Sequence, residues 1–251
     1  MKPFYTTIPI ALCLYALKNR KVNHLMLYIY FKLTSSGHIK YCPYSISAWS
    51  TDIGKSERWT KDTIKWLISK GWITVNTKRK SYRIISYKQL CRKLKLEHHA
   101  CVLFENDDFT NFRQFLSAAV VTDCLKVKRI ISRKKNRSGS RLTDSSMCGF
   151  FYSKAFHPLP ISYIAKKLGV TMSTANNIKR WAIESKTVFK MSNTPYLLDG
   201  NGEKLGMEHW NGVLANNPTI AGRLRKGKFI RIVEADLLET YVLTKRKRYE
   251  Y

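Results

Sequence analysis

The sequence predicts a mainly α chain with small β-ribbons, an α+β protein that carries one helical unit twice. Three observations predict it. Residues 46–73, ISAWSTDIGKSERWTKDTIKWLISKGWI, read as a short helix, a tight turn at Gly54, a second helix and a stop at Gly71. Residues 161–188, ISYIAKKLGVTMSTANNIKRWAIESKTV, repeat that order. A shift of 115 positions lays Ile46 on Ile161, Ser47 on Ser162, Ile53 on Leu168, Gly54 on Gly169, Ser56 on Thr171 and Trp66 on Trp181. The third observation is composition: 44% hydrophobic and 12% aromatic residues suffice for packed cores.

The elements follow in order. Residues 4–17 are apolar with Pro9 inside, which predicts an extended piece and then a helical turn. Asn23 is a cap for the next helix, whose Leu25, Met26, Ile29, Tyr30 and Leu33 recur at helical spacing and predict one buried face. Gly37 ends it, and a short strand at 38–42 leads to the first helical pair. There Ile46, Trp49 and Ile53 face inward, Gly54 supplies the turn, and Ser56 or Thr60 caps the second helix. Ile64, Leu67 and Ile68 continue the inward face. Residues 72–76 and 81–86 alternate like two strands around the basic tip Thr77-Lys78-Arg79-Lys80, and a helix over 87–96 follows.

Residues 97–108 read as a connector. Asp107, Asp108 and Thr110 then open the helix FRQFLSAAVVTDCL, which runs into the basic stretch KVKRIISRKKNRSGSR, whose Ser-Gly-Ser predicts a flexible loop. MCGFFYSKAFHPLP reads as extended, and the second helical pair begins after it. Ile64 lies ten residues past Gly54 and Ile178 nine past Gly169, which predicts a one-residue difference between the two second helices. The copies also close alike: YRIISYKQL (82–90) parallels IRIVEADLL (230–238), each read as a strand leading into a helix. The second connection is much the longer. It holds the turn Asp199-Gly200-Asn201-Gly202, a strand or helix at 207–215, and a basic loop at 223–228.

Charge narrows the partner. Lys and Arg number 45 against 17 Asp and Glu, a formal charge of +28, which points to a polyanion. The cysteines at 13, 42, 91, 101, 124 and 148 form no CxxC pair and read as reduced thiols of a cytoplasmic, nucleic-acid-associated protein. The apolar start is interrupted by Pro9 and is shorter than the ~20 residues a bilayer needs, so no membrane partner is expected. Cys91, His98, His99 and Cys101 match no common zinc spacing. Neither GxxxxGK[ST] nor GxGxxG occurs. No catalysis, metal or cofactor is expected.

A helix fits the major groove, where its outward side chains read base edges. The outward positions are Arg58, Trp59, Lys61, Asp62 and Lys65 in the first copy, and Met172, Ser173, Asn176, Asn177, Lys179 and Arg180 in the second. All but Asp62 and Met172 are candidate base readers. Arg pairs bidentately with guanine and Asn with adenine, each worth about 1–3 kcal/mol of discrimination. Asn176 and Asn177 are therefore the leading readers. Candidate phosphate contacts are Lys78, Arg79 and Lys80 at the first tip, and Lys126, Lys128, Arg129, Arg133, Lys134, Lys135 and Arg137 in the basic stretch. Arg223, Arg225, Lys226 and Lys228 in the long second connection, and Lys245, Arg246, Lys247 and Arg248 in the tail, complete them.

The segment IPIALCLYALKNRKVNHLMLYIYFKLTSSGHIKYCP, followed by STDIGKSERWTKDTIKWLISKGWI, resembles the winged-helix domain of plasmid and phage replication initiators and replisome organisers. The shared pattern is an apolar Ile-Pro lead-in, a Leu- and Tyr-rich first helix, the helix-turn-helix, and a Gly-Trp-Ile exit to the wing. The resemblance implies two tandem winged-helix domains, residues 1–96 and 109–251, joined by the connector 97–108, the second with an enlarged wing and a basic tail. Tandem winged helices are the architecture of one class of plasmid initiators, which bind repeated origin sites. The expected partner is double-stranded DNA, and the expected role is replication initiation or transcription regulation in a mobile element or phage. The long second wing is a place for a protein partner. Two other readings fit the same charge: a structural, nucleic-acid-condensing protein packaged in a virion, and an RNA-binding winged-helix protein.

Overall fold

The computed structural model describes residues 5–97, 100–105, 109–138, 156–192, 196–198, 230–232 and 235–246, and of 129–138, 196–198, 230–232 and 245–246 the backbone alone. Within them the chain is α+β, helices with small antiparallel sheets. Strand β1 (Tyr5–Pro9) ends at Pro9, where helix α1 (Ile10–Lys18) begins; a missing N–H costs nothing at a helix start. Helix α2 (Val22–Thr34) starts at Val22, with Lys21 rather than Asn23 at its cap. Leu25 through Phe31 are all buried, so α2 is enclosed on every side and not along one face. Helices α1 and α4, together with β1 and β4, pack around it, which a single periodicity does not reveal.

The first helical unit closely follows its sequence signals. Strand β2 (His38–Lys40) precedes α3 (Ser45–Ile53), and α3 ends at Gly54 in the left-handed conformation, φ 66°. Helix α4 (Glu57–Ser69) is capped by Ser56, whose side chain accepts from the Trp59 N–H at 3.2 Å. Thr60, Thr63, Ile64 and Leu67 form its buried stripe. Strands β3 (Ile73–Asn76) and β4 (Ser81–Ile84) follow, and β4 lies between β2 and β3. Helix α5 (Tyr87–Lys93) starts on a capping box of Ser86 and Gln89. Tyr28 donates to the Ile85 carbonyl at 2.8 Å, and Tyr30 donates to Asp52, tying α2 to both ends of the unit.

Trp72, 1% exposed, is the hinge between α4 and β3. Its ring meets Tyr28 edge-on at 5.5 Å and Trp66 at 5.3 Å. Trp72→Ala is expected to lower stability by about 3–5 kcal/mol, read by chemical denaturation. A loss under about 1 kcal/mol would mean that this aromatic cluster contributes little.

The second half repeats the order. Helix α6 (Phe112–Ser138) stands for α2, β6 (His157–Pro158) for β2, α7 (Ile161–Leu168) for α3, α8 (Met172–Glu184) for α4, and β7 (Val188–Met191) for β3. Gly169 is left-handed at φ 61°, and Thr171 caps α8 by accepting from the Thr174 N–H at 3.2 Å. Both α4 and α8 have 13 residues, so the shift of 115 holds from α3 to β3 without the one-residue difference that Ile64 and Ile178 suggest. Lys179, not Ile178, occupies the place of Ile64.

The closing strand also differs from expectation. Ile230–Ile232 (β9) pairs with Tyr196–Leu198 (β8) in a separate ribbon. The counterpart of β4 is β10 (Leu237–Thr240), a strand where the sequence reads a helix, and it lies between β6 and β7 as β4 lies between β2 and β3. The basic stretch after Leu125 is helical to Ser138, the first residue of the Ser-Gly-Ser segment, and Gly139 and Ser140 lie outside the described residues.

Residues 97–108 contain a core strand, β5 (Ala100–Glu105). It pairs with β1 on one side and with β11 (Thr244–Arg246) on the other. A strand of the first half and a strand of the second therefore flank the segment that reads as a connector. Helix α1 packs on both α2 and α6, and buried side chains of both halves form one continuous hydrophobic cluster.

Candidate nucleic-acid interface

With one face of α4 committed to the core, Arg58, Lys61, Asp62 and Lys65 are left exposed on the other. The shift of 115 places Ser173, Asn176, Asn177 and Arg180 on the same face of α8. Ser173, Asn176 and Arg180 are exposed and Asn177 is half-buried. The two stripes differ in chemistry. The first is charged, with a Glu57–Lys61 pair at 3.4 Å; the second is led by amides, with Arg180 at 3.6 Å from Glu184. Both ion pairs are solvent-exposed and hold their cations weakly, so an incoming phosphate or base edge competes easily.

Two candidate readers do not reach that surface. Trp59 is half-buried and packs against the core. Lys179 is buried: its ammonium donates to Asp236 Oδ2 at 2.8 Å and to the Leu159 carbonyl at 3.3 Å. It cannot read bases while it occupies a core position. Lys190 also approaches Asp236, at 3.6 Å, so the carboxylate is shared between α8 and β7.

Of the candidate phosphate contacts, Lys78, Arg79 and Lys80 are exposed at the tip between β3 and β4. Asn76 Oδ1 accepts from the Arg79 N–H at 3.0 Å and Lys80 sits at φ 44°, so the tip has a defined shape. Lys126 and Lys128 are half-buried and already engaged. Lys126 donates to Thr244 Oγ1, and Lys128 donates to the Pro158 carbonyl at 2.6 Å, where burial pushes its pKa down. Lys126 ties α6 to β11 and Lys128 ties it to β6 of the second sheet, so neither is free for phosphate. Arg129, Arg133, Lys134, Lys135 and Arg137 continue along the backbone of α6, and Lys245 and Arg246 belong to β11 and not to a free tail. Arg223, Arg225, Lys226, Lys228, Lys247 and Arg248 lie outside the described residues, as does the turn at 199–202.

The exposed cations Lys55, in the turn before α4, and Lys70, at its end, extend the first stripe. Periodicity of the helix alone does not include them, because both stand in turns.

Among the described residues, no group of three or more His, Cys, Asp or Glu could hold a metal ion, and no helix is long and apolar enough to cross a membrane. Comparison with family models, curated proteins and solved structures found no match.

Proposed function

We propose that the chain binds double-stranded DNA through two tandem winged-helix modules, and that α4 and α8 each present their exposed stripe to a major groove. One observation carries this reading: the constant shift of 115 puts two capped helices in the same setting, each with an exposed polar stripe, in a chain of charge +28. The order helix, strand, helix, helix, strand, strand, with the last strand central, supports the winged-helix assignment of both halves. Lys78, Arg79 and Lys80 grip the backbone beside the first stripe, and the basic part of α6 adds affinity without sequence information. Because both modules share one core, they address one composite site at fixed spacing. The role that fits is a non-catalytic replication initiator or transcription regulator of a mobile element.

Selection of bound duplexes from a random pool at physiological salt tests the reading. One enriched motif with two distinct halves is expected. Absence of enrichment overturns it in favour of a condensing protein, and stronger competition by double-stranded RNA overturns it in favour of RNA binding.

Asn176→Ala with Asn177→Ala is expected to reduce preference for the selected motif by about 1–3 kcal/mol per lost amide–adenine contact, with affinity for random duplex unchanged. Most of the loss belongs to Asn176, the more exposed of the two. Competition titration reads it, and an unchanged preference removes the amides from base reading.

A further inference from the structure

The second sheet carries a surface the first lacks. Val188 and Leu238 turn into the core, so Phe189 and Glu239, paired across β7 and β10, lie on the opposite face. There Phe189 is 47% exposed and Tyr241 64%. The residue of the first copy that matches Phe189 is Thr74, so the aromatic face is particular to the second.

The rings of Phe189 and Tyr241 stand at 90° with centroids 5.4 Å apart. Such a pair forms a corner, in which a flat ligand stacks on one ring and abuts the edge of the other. Phe156 borders the same concavity, about 490 Å³ in volume, with Lys186, Thr187 and Glu239 also lining it. The depression is shallow and largely open to solvent, a shape that suits the flat face of one base. Lys186 stands two residues beyond α8 in a left-handed conformation, φ 60°, where the first copy has Gly71 at φ 61°. The second copy thus places a cation on a backbone that favours glycine, beside an aromatic corner.

Aromatic rings beside a cation suit a nucleotide: the base stacks and the phosphate pairs. We propose that this corner binds one unpaired nucleotide of a single strand, its base on Phe189 and Tyr241 and its phosphate toward Lys186. Glu239 selects guanine, whose Watson–Crick edge offers two adjacent N–H donors to a carboxylate. The assignment rests on the DNA-binding reading, since the charge of the chain and the closeness of α8 are what direct a nucleic acid here.

Fluorescence polarisation of the full chain tests it. The probe is a labelled oligothymidylate with one central deoxyguanosine, compared with the same strand carrying an abasic residue there. The wild-type chain is expected to prefer the guanosine strand roughly 10-fold, within the usual reach of base–aromatic stacking. Phe189→Ser and Tyr241→Ser, both at exposed positions, abolish the difference, and Glu239→Gln loses the preference for guanosine over adenosine. All three variants keep wild-type affinity for duplex. Equal binding of the two strands by the wild-type chain overturns the proposal, as does a change of sedimentation mass in Phe189→Ser, which assigns the face to a second copy. If the wild-type chain binds no duplex, the DNA-binding reading fails separately.

Discussion

Asp236→Ala is expected to destabilise the second half by about 3–5 kcal/mol, while Lys179→Ile costs little or even stabilises it. The Lys179 side chain is only 6% exposed and its ammonium lies 2.8 Å from Asp236. Removing the carboxylate leaves a charge in the core with one carbonyl for a partner. Removing the lysine has the opposite consequence. Ile64 fills the equivalent place in α4 at 4% exposure, so an apolar side chain of that shape already suits the fold. Asp236 then keeps Lys190 and partial contact with water. Urea denaturation of the two variants separates these effects. If Asp236→Ala unfolds within about 1 kcal/mol of the wild type, the pair is not buried in solution and Lys179 returns to the list of groove contacts. The same variants bear on recognition: Lys179→Ile is expected to leave duplex preference untouched.

The second large effect concerns spacing. Inserting about five base pairs, half a helical turn, between the two halves of the selected site is expected to weaken binding by roughly 100-fold or more. A flexible connector would let each module follow its half-site around the duplex. Here β5 occupies the connecting segment, held by β1 on one side and β11 on the other, and Leu103 N–H donates to the Leu243 carbonyl at 3.1 Å. Helix α1 is lodged between α2 and α6. The modules cannot rotate apart without opening that sheet and its core, so one half-site must be lost. Titration of labelled duplexes with and without the insertion measures it. Equal affinity for the two duplexes would falsify the fixed-spacing reading while leaving DNA binding itself intact.

Much of the local structure is legible without coordinates. Gly54 and Gly169, Ser56 and Thr171, and the apolar spacing of α4 and α8 all act within one helical turn of the feature they specify, and each is found in place. The candidate interface is legible to the same extent. Arg58, Lys61, Lys65, Ser173, Asn176 and Arg180 are exposed on the faces that periodicity assigns. Lys179 is misread because its hydrophilic side chain outweighs its position. Only alignment of the whole unit, from α3 to β3, shows that it replaces Ile64. Lys126 and Lys128 read as part of a charge run, and their half-burial depends on Thr244 and Pro158, well separated in sequence.

The sequence by itself determined the duplicated unit, its caps and turns, the basic character of the chain and the chemistry of the two stripes. These are properties of neighbouring residues, set by backbone conformation, side-chain periodicity and composition. The tertiary structure alone decided that Lys179 is a core residue, that β10 and not β9 closes the second sheet, and that β5, within the segment that reads as a connector, binds the two halves together. Each of those outcomes depends on pairing between residues far apart in the chain, where burial and backbone hydrogen bonding outweigh local preference. For the same reason Phe189 and Tyr241, 52 positions apart in the sequence, form one aromatic corner only after the sheet has folded.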